Sequence, residues 1–314
     1  MLIAIFKLLA FFNVICLQNS TVYVILYDMK GIFVCNNYYF DEGMEHCYNS
    51  LKVAFEKHGV KLDKKSTFLI HNKKTVEFHL LGLADFIIFW DKDMAVLRGL
   101  ERYGFKVFNS SYAIQVADDK LLTYSAIADK NINIPYTIAA PIMYDVNLIV
   151  DNKFLDEVEK NLDYPLIVKQ NIGSQGRQVY KAANRQELEK IYLYLRHIPH
   201  HYQKMMGEEG ADFRVYVVGG KAIASCIRKG TDFKSNLFGG GQISLCDLPL
   251  AYKRKAEKIS KILKLDFGSI DFLINNHSDP LFLEANSNSY FKGIEGLGVN
   301  IAGKIAEHIL NKLS

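Results

Sequence analysis

The amino-acid sequence predicts an α/β domain followed by an α+β domain, and three observations support this prediction. The chain has 314 residues, of which 49% are apolar, so it is long enough to form more than one core. Before residue 112, strand-like and helical segments alternate, which is typical of a parallel sheet covered by helices. After residue 164, the strand-like segments come in pairs, which indicates antiparallel hairpins with interspersed helices.

In the first domain, "TVYVILYDMKG" is rich in β-branched and aromatic residues and predicts a buried strand that ends at Gly31. The next segment predicts a helix that ends near Gly59. The apolar residues at helical spacing in this segment are Met44, Cys47, Leu51 and Phe55. Segments 84–90 and 105–111 predict further strands, and the helix between them ends at Gly104.

In the second domain, "ADDKLLTYSAIADKNINIPYT" predicts a helix with Asp118 as its N-cap and an extended exit at Pro135. Three pairs of strands are then predicted. They are "YPLIVKQ" with "QVYKA", "DFRVYVV" with "AIASCIR", and "FGSIDFLI" with "LFLEANS".

The composition argues against a nucleic-acid or membrane partner. Lysine and arginine number 38 and aspartate and glutamate 34, which gives a net charge of +4 and no strong excess of either sign. The cysteines lie at wide spacings without a C-x-x-C pair, so we expect reduced thiols in the cytoplasm. Residues 1–20 are mostly apolar, but Lys7 interrupts a run that is too short to span a bilayer. We expect an N-terminal extension here.

A phosphate site is predicted around Lys169. Strand alternation places this lysine with Ile167 on one face of "PLIVKQ", where an isolated lysine often extends to solvent instead. The segment "NIGSQGR" follows, and its two glycines allow several backbone N–H groups to approach an anion. An ammonium group beside such donors favours phosphate.

A metal site is predicted in the last hairpin. If Ile274 pairs with Leu281, then Asp271 lies opposite Glu284, and Asn286 lies on the same face. Opposed carboxylates are unfavourable unless a cation lies between them. Two carboxylates and an amide oxygen are hard ligands that suit magnesium. Two acids on a solvated sheet face are the alternative.

Two arginines complete the candidate site. Asp212, Arg214 and Tyr216 share one face of their strand. A two-residue turn at Gly219–Gly220 would place Arg228 on the opposite face, whereas a three-residue turn or a bulge would bring it level with Asp212. Converging arginines favour phosphoryl charge, although each one alone is also a common surface salt-bridge partner.

Taken together, these motifs resemble an ATP-grasp enzyme, and their order resembles the RimK family of carboxylate-amine ligases. The motifs are Lys120 in "DDK", Lys169 in "VKQ", "GSQG", "DFRVYVVGG", Arg228, "SNLFGGG", Asp271 and "EANS". The closing "GIEGLGVNIAGKIAEHIL" also resembles the end of that family. The resemblance covers roughly residues 105–314, whereas residues 1–100 match only in being α/β.

The resemblance implies contacts to ATP. Two lysines would contact the phosphates, a glycine loop would fold over them, and adenine would lie against a hinge in "YQKMM". The expected contacts are Lys120, Lys169, Gly173, Ser174, Gln175, Gly176, Gln203, Lys204, Met205, Met206 and Asp212. Lys204 stands where the family usually has an acidic residue, which leaves the details of base recognition open.

The resemblance also implies the remaining roles. Asp271, Glu284 and Asn286 would hold Mg²⁺, with Mn²⁺ as an alternative. Arg228 and Asn236 would face an acyl phosphate, and Arg214 joins them as a catalytic candidate. Because this chemistry needs no side-chain nucleophile, no cysteine or histidine is expected to have a catalytic role, and the pair His200–His201 is interpreted as a loop.

The implied organisation follows the ATP-grasp pattern. Residues 21–116 would form an α/β pre-ATP-grasp domain and residues 117–314 an ATP-grasp domain. Its two α+β subdomains, 117–203 (central) and 204–314 (C-terminal), would have antiparallel sheets that sandwich ATP. A homo-oligomer is left open.

The function expected from the resemblance is ATP-dependent ligation of an amino-acid amine to a carboxylate, with release of ADP and phosphate. The acceptor would be a small molecule, a peptide or a protein C-terminus. The alternatives are a phosphotransferase that stops at a phosphorylated product and a non-catalytic nucleotide-binding regulator.

Overall fold

The computed structural model describes residues 15–18, 21–24, 29–36, 38, 41–67, 81–145, 152–174, 176–230, 241–275 and 279–314. The chain forms two compact units. The first consists of Met1–Ser110, Tyr290–Lys292 and Asn300–Ser314, and the second of Ser111–Ser289 and Gly293–Val299. Among the described residues, no helix is both long enough and apolar enough to cross a membrane.

The first described elements of the first unit are a short antiparallel pair, β1 (Ile15–Gln18) and β2 (Thr21–Val24). A parallel four-stranded sheet follows, with the spatial order β4-β3-β5-β6. Its strands are β3 (Lys30–Cys35), β4 (Lys61–Ser66), β5 (Phe86–Trp90) and β6 (Val107–Phe108). Every residue of β5 is buried, as expected for an inner parallel strand covered on both faces. The parallel sheet is the one that the alternation of strands and helices predicted.

The strand predicted over residues 21–31 is confirmed at Thr21–Val24, which forms β2, but its end at Gly31 is wrong. The sheet strand begins at Lys30, and Gly31 lies inside it. A Cβ atom at Gly31 would come within 2.3 Å of the Phe86 ring. Glycine at this position therefore allows a close approach between β3 and the Phe86 side chain, and does not end the strand.

The two predicted helices of this unit are confirmed. They are α1 (Glu42–Glu56) and α2 (Met94–Arg102). Asp41 and Asp93 cap their N-termini by accepting hydrogen bonds from backbone N–H groups. Gly59 and Gly104 follow the helices with φ values of 71° and 85°, the left-handed conformation that glycine adopts without strain.

The second unit begins with two consecutive helices, α3 (Ser111–Asp118) and α4 (Lys120–Ile127). Asp118 is the last residue of α3 and does not act as the predicted N-cap. Asp119 caps α4 instead, because its carboxylate accepts from the N–H groups of Leu121 and Leu122. Because Asp118 and Asp119 are adjacent, the sequence alone did not show which of the two caps the helix.

The first antiparallel sheet of this unit has the order β7-β10-β8-β9. Its strands are β7 (Thr137–Ala139), β8 (Leu166–Gln170), β9 (Val179–Ala182) and β10 (His200–Lys204). Two helices, α5 (Lys153–Asn161) and α6 (Arg185–Leu195), contribute to a shared core with one face of the sheet. The other face carries the polar side chains described below.

The second antiparallel sheet has the order β13-β12-β11-β14-β15. Its strands are β11 (Ala211–Val218), β12 (Lys221–Lys229), β13 (Gln242–Leu245), β14 (Phe267–Leu273) and β15 (Leu281–Asn286). A helix, α7 (Leu250–Ile262), packs against β11, β12 and β14. All three predicted strand pairs are confirmed.

The chain ends with a short helix, α8 (Lys292–Glu295), and with α9 (Ile301–Leu313). The sequence assigned residues 300–314 to the second domain, whereas α9 packs against α1 and belongs to the first unit. The apolar positions of α9 are buried, including Ile305 and Ile309. The domain boundaries themselves stay a prediction.

We expect Ile305→Ala to destabilise the first unit by about 2–5 kcal/mol, because the substitution leaves a cavity where α9 is buried. Trp90, the single tryptophan of the chain, lies in β5 of this unit. Its fluorescence during urea unfolding therefore reports on the first unit. Lys304→Ala, on the exposed side of the same helix, is the matched control. Equal midpoints for both variants would contradict this packing.

Candidate active site

Lys169 is a buried cation on the polar face of the first sheet of the second unit. Only 7% of its surface is exposed, so the alternative that it extends to solvent is wrong. Its Nζ donates to Gln203 Oε1 over 2.7 Å. Burial lowers the pKa of Lys169 to about 8, and the neighbouring Lys120 contributes to that shift, while Glu284 opposes it. Because burial disfavours the charged form of Lys169, an anion bound beside it would stabilise the ammonium.

Lys120 is the first residue of α4 and lies between the glycine loop and the last strand. Its Nζ is 3.5 Å from Glu284 Oε2 and donates to the carbonyl oxygen of Gly173 over 3.5 Å. Its backbone N–H donates to the carbonyl of Asn171, just after β8. The structure therefore brings both predicted phosphate lysines to the same region.

The predicted phosphate loop follows β8 directly. Gly176 has a φ of 68°, which requires the conformational freedom of glycine. The Ser174 N–H donates to Gln178 Oε1 over 3.2 Å. An anion at the loop would compete with this side chain for that donor. Gln175 lies outside the described residues.

The expected adenine hinge lies at the end of β10. The Gln203 side chain points to Lys169 and is 2% exposed. Lys204, which stands in place of the acidic residue, pairs with Asp163 over 2.9 Å. Met205 and Met206 follow the strand, and Met206 is 37% exposed. The contribution of this segment to base recognition stays a prediction.

Asp271 lies opposite Glu284 on β14 and β15, as predicted. The register shifts by one residue beside Asp271, so Leu273, not Ile274, pairs with Leu281. The predicted pairing of Ile274 is therefore wrong, because it assumed a ladder without a bulge.

Asn286 lies between the two carboxylates. Its Nδ2 is 3.3 Å from Asp271 Oδ2 and 3.4 Å from Glu284 Oε1. The three expected metal ligands are therefore neighbours. Among the described residues, no group of three or more His, Cys, Asp or Glu could hold a metal ion, so a site here depends on the amide as its third ligand.

The arginines are partners of the carboxylates and not surface residues, because the side chain of Arg228 is only 8% exposed and that of Arg214 only 12%. Arg214 donates to Asp271 through Nε over 2.8 Å and through Nη2 over 2.7 Å. Arg228 donates from Nε to Asp212 over 2.8 Å and from Nη2 to Asp271 over 2.8 Å. Both oxygens of Asp212 are bonded to Arg228.

A bulge brings Arg228 to this face. The turn between β11 and β12 has two residues, Gly219 and Gly220, both with positive φ. The register shifts between Tyr216 and Val217, and Arg228 consequently pairs with Asp212. Of the arrangements that the sequence left open, the structure has the two-residue turn combined with a bulge.

Cationic side chains of the protein itself compensate the opposed carboxylates. Asp271 is bonded to both arginines, and Glu284 lies beside Lys120. Burial alone raises the pKa of Glu284, but the surrounding lysines and arginines lower it to about 2. Burial raises the pKa of Asp212, against the effect of Arg228.

The donor set fits a hard cation. Carboxylate and amide oxygens are the ligands that magnesium prefers. Asp271 already accepts four N–H donors, namely two from Arg214 and one each from Arg228 and Asn286. Because a carboxylate offers about four lone-pair positions, a cation at Asp271 would have to replace at least one of these donors.

Several polar residues at this site were missed by the sequence analysis. His200 and His201 are buried residues of β10, so their interpretation as a loop is wrong. His201 Nδ1 is 3.0 Å from Asn171 Oδ1. Burial, with Lys169 nearby, holds the pKa of His201 far below its ordinary value. In "HHYQK", His201 alternates with Gln203 on the polar face, and His200 alternates with Tyr202, which it contacts, on the other face. This alternation was the available strand signal.

Two hydroxyl residues were also missed, Tyr124 on α4 and Thr137 on β7, which both contact Gln203. Tyr124 follows Lys120 by one helical turn, and this spacing was a signal that they share a face. Asn236, expected at the substrate side, lies outside the described residues.

Comparison with known proteins agrees with this geometry. Residues 117–309 match the RimK-like ATP-grasp domain. The chain is 33% identical over 228 residues to the human (Homo sapiens) protein named N-acetylaspartylglutamate synthase A, covering 71% of this chain and 57% of that protein. It is 35% identical over 228 residues to the probable alpha-L-glutamate ligase of Xanthomonas oryzae pv. oryzae, covering 68% and 72%.

The fold also matches solved structures. The D-alanine–D-alanine ligase of Bacillus anthracis, solved with ATP, superposes with a TM-score of 0.68 at 16% identity, covering 91% of this chain and 97% of that one. The second unit therefore has the ATP-grasp fold. The chain spans a little over half the length of the human relative.

We expect Arg228→Met to destabilise the second unit by about 3–5 kcal/mol, because Asp212 would stay buried without its partner. The double variant Arg228→Met, Asp212→Leu should recover much of that loss. Urea unfolding followed by circular dichroism measures both. Lys229→Met, one residue along β12 and exposed, is the control. A double variant no more stable than the single one would contradict the pairing.

The depressed pKa of Lys169 predicts a pH-dependent stability. Between about 8 and the ordinary value of 10.5, the unfolded chain binds a proton at Lys169 that the folded chain does not, so stability rises with pH across this window. The gain amounts to about 3 kcal/mol. Lys169→Met should abolish this part of the rise, whereas Lys181→Met on β9 should retain it. Parallel stability curves for wild type and Lys169→Met would contradict the assignment.

Proposed function

The chain belongs to the RimK-like ATP-grasp family, and we propose on that premise that it is an ATP-dependent carboxylate-amine ligase. The reaction would join the amine of an amino acid to a carboxylate and release ADP and phosphate. The observation that carries the proposal is the meeting of two lysines, a glycine loop and two opposed carboxylates at one site.

The lysines support a triphosphate site. Lys169 is buried beside Gln203, and Lys120 connects the loop with Glu284. A polyphosphate would supply the negative charge that stabilises the ammonium form of Lys169. The loop from Gly173 to Gly176 would close over the phosphates, and adenine would lie against the segment from Gln203 to Met206.

Asp271, Glu284 and Asn286 would hold magnesium, with manganese as an alternative. When bound, the ion would neutralise charge on the phosphoryl oxygens. Replacement of a guanidinium donor on Asp271 would leave that arginine able to bond elsewhere. Arg214 and Arg228, which pair with Asp271, would then contact a phosphoryl group as negative charge develops on it.

The chemistry has two steps. A carboxylate oxygen attacks the γ-phosphorus of ATP, the bond to ADP breaks, and an acyl phosphate forms. The amine then attacks the carbonyl carbon, and phosphate leaves with the former carboxylate oxygen. Arg228, Arg214 and Asn236 would face the acyl phosphate. The contribution of the protein is positioning and charge neutralisation, which account for most of the catalysis in phosphoryl transfer.

Relatives named for glutamate ligation make glutamate the first amino acid to test. The acceptor carboxylate, on a small molecule, a peptide or a protein C-terminus, is to be found by screening ADP release. A cytoplasmic location and a homo-oligomer stay predictions.

Oxygen labelling tests the proposal. We expect ¹⁸O in the acceptor carboxylate to appear in inorganic phosphate, because the acyl phosphate transfers that oxygen to phosphorus. Mass spectrometry of the phosphate and of the amide product measures this. Accumulation of a phosphorylated acceptor that keeps the label, with no amide product, would favour the phosphotransferase. Nucleotide binding without ADP release, with every acceptor and amine tried, would favour the non-catalytic regulator.

Lys169→Ala should weaken binding of a non-hydrolysable ATP analogue by about 1.5–3 kcal/mol, because a charge-assisted contact to phosphate is lost. Isothermal calorimetry measures the affinity. Lys181→Ala, on the neighbouring β9, is the control. Equal affinities for wild type and Lys169→Ala would remove Lys169 from the phosphate site.

A further inference from the structure

A continuous hydrogen-bonded chain lies beneath Lys169 and connects the two sheets of the second unit. Gln203 Nε2 donates to Tyr124 Oη over 3.0 Å and to Thr137 Oγ1 over 2.9 Å. Tyr124 Oη in turn donates to the backbone carbonyl of Leu283 over 2.9 Å. Thr137 Oγ1 donates to the carbonyl of Pro135 over 2.7 Å. Gln203 Oε1 accepts from Lys169, so the amide uses its oxygen and both of its N–H groups.

The two backbone carbonyls set the direction of every bond in this chain. A carbonyl only accepts, so the hydroxyls of Tyr124 and Thr137 must each donate outward. Each hydroxyl therefore presents a lone pair to Gln203, and only the NH₂ side of the amide can face both of them. The carbonyl side of Gln203 is thereby directed at Lys169. The amide orientation follows from the network itself and is not an arbitrary assignment.

Helix α4 connects this hydrogen-bonded chain to β15, the strand that contains Glu284. Lys120 and Tyr124 are four residues apart and lie on the same face of the helix. Lys120 contacts Glu284, and Tyr124 is bonded to the carbonyl of Leu283, the preceding residue of β15. One face of α4 therefore bridges the sheet that carries Lys169 and the strand that carries Glu284.

The phenol suits this role because it stays protonated. Burial raises the pKa of Tyr124 above its ordinary value, Glu284 adds to the shift, and the bond from Gln203 only partly opposes it. A neutral phenol can donate to Leu283 and accept from Gln203 at the same time. Removal of either hydroxyl, that of Tyr124 or that of Thr137, would leave a buried N–H of Gln203 without its acceptor, which is unfavourable.

We propose that Tyr124 and Thr137 are positioning residues for nucleotide binding: they anchor Gln203 so that its carbonyl oxygen holds Lys169 in place. Neither residue contacts the nucleotide. The inference rests on the proposed function, since it takes Lys169 to be a phosphate contact. Gln203 is then a support for Lys169, in addition to any contact that its backbone makes with the base.

The test removes the anchors in two backgrounds. Tyr124→Phe, Thr137→Val and the double variant are prepared in the wild type and in Gln203→Glu. A glutamate at position 203 has no N–H to satisfy and pairs with Lys169 by charge, so it needs neither hydroxyl as an anchor. Tyr164→Phe is the matched control, because its hydroxyl is bonded to Glu159. Calorimetry with a non-hydrolysable ATP analogue and magnesium measures the dissociation constant.

In the wild-type background, we expect the double variant to bind about tenfold more weakly or worse, and each single variant about threefold. In the Gln203→Glu background, the same substitutions should change the dissociation constant by less than about twofold. Tyr164→Phe should bind as wild type does. If the double variant does not fold, the single variants are compared in the two backgrounds instead.

If the substitutions weaken nucleotide affinity equally in both backgrounds, Tyr124 and Thr137 act on the stability of the fold and not through Gln203, and the inference is overturned. Unchanged affinity in the wild-type background would overturn it as well. Failure of the wild type itself to bind the nucleotide would instead overturn the proposed function, so the two failures are distinguishable.

Discussion

The candidate site depends on the balance of buried charge around the Asp271 carboxylate. Burying an ion is costly unless partners and hydrogen bonds compensate for the lost water. Asp271 meets this requirement with two arginines, and Arg228 extends the network to Asp212. The group contains three carboxylates and four cationic side chains. They are Asp212, Asp271 and Glu284 with Lys120, Lys169, Arg214 and Arg228.

The group therefore carries one more positive charge than negative charge. Lys169 is the cation of this group whose hydrogen-bond partner is not a carboxylate. It is bonded to a neutral amide, and burial depresses its pKa. The arginines and Lys120 each have a carboxylate partner. An incoming anion would complete the balance, which gives a physical reason to expect an anionic ligand beside Lys169.

Much of this arrangement was accessible from the sequence because it follows from strand alternation. Lys169 on the polar face required only the period of two. Asp271 opposite Glu284 also required a register for the last hairpin, and the pairing is as predicted although Ile274 does not pair with Leu281. Bulges were not accessible, since they are properties of the paired strands and not of either segment alone. One of them shifted the pairing of Ile274, and the other decided the face of Arg228.

Long-range polar contacts were also inaccessible. Tyr124, Thr137 and Gln203 lie on three different elements, and no spacing in the sequence connects all three. The guanidinium partners of Asp271 are 57 and 43 residues away. Because these arginines are distant in sequence, the pairing of Asp271 with Glu284 indicated only that a cation from outside the protein would lie between them. The fold supplies cations from within, and an added metal ion would have to compete with them.

The two-residue turn at Gly219–Gly220 limits how this protein can vary in length. Side chains alternate between the faces of a strand, so a shift of one residue in pairing moves every following side chain to the other face. The bulge beyond the turn already uses one such shift to bring Arg228 to the polar face. If the turn keeps two residues, a single insertion or deletion in a strand between the turn and Arg228 would carry Arg228 to the apolar side, where α7 packs. An added residue that is instead taken up by the turn leaves the strand pairing, and with it the face of Arg228, unchanged.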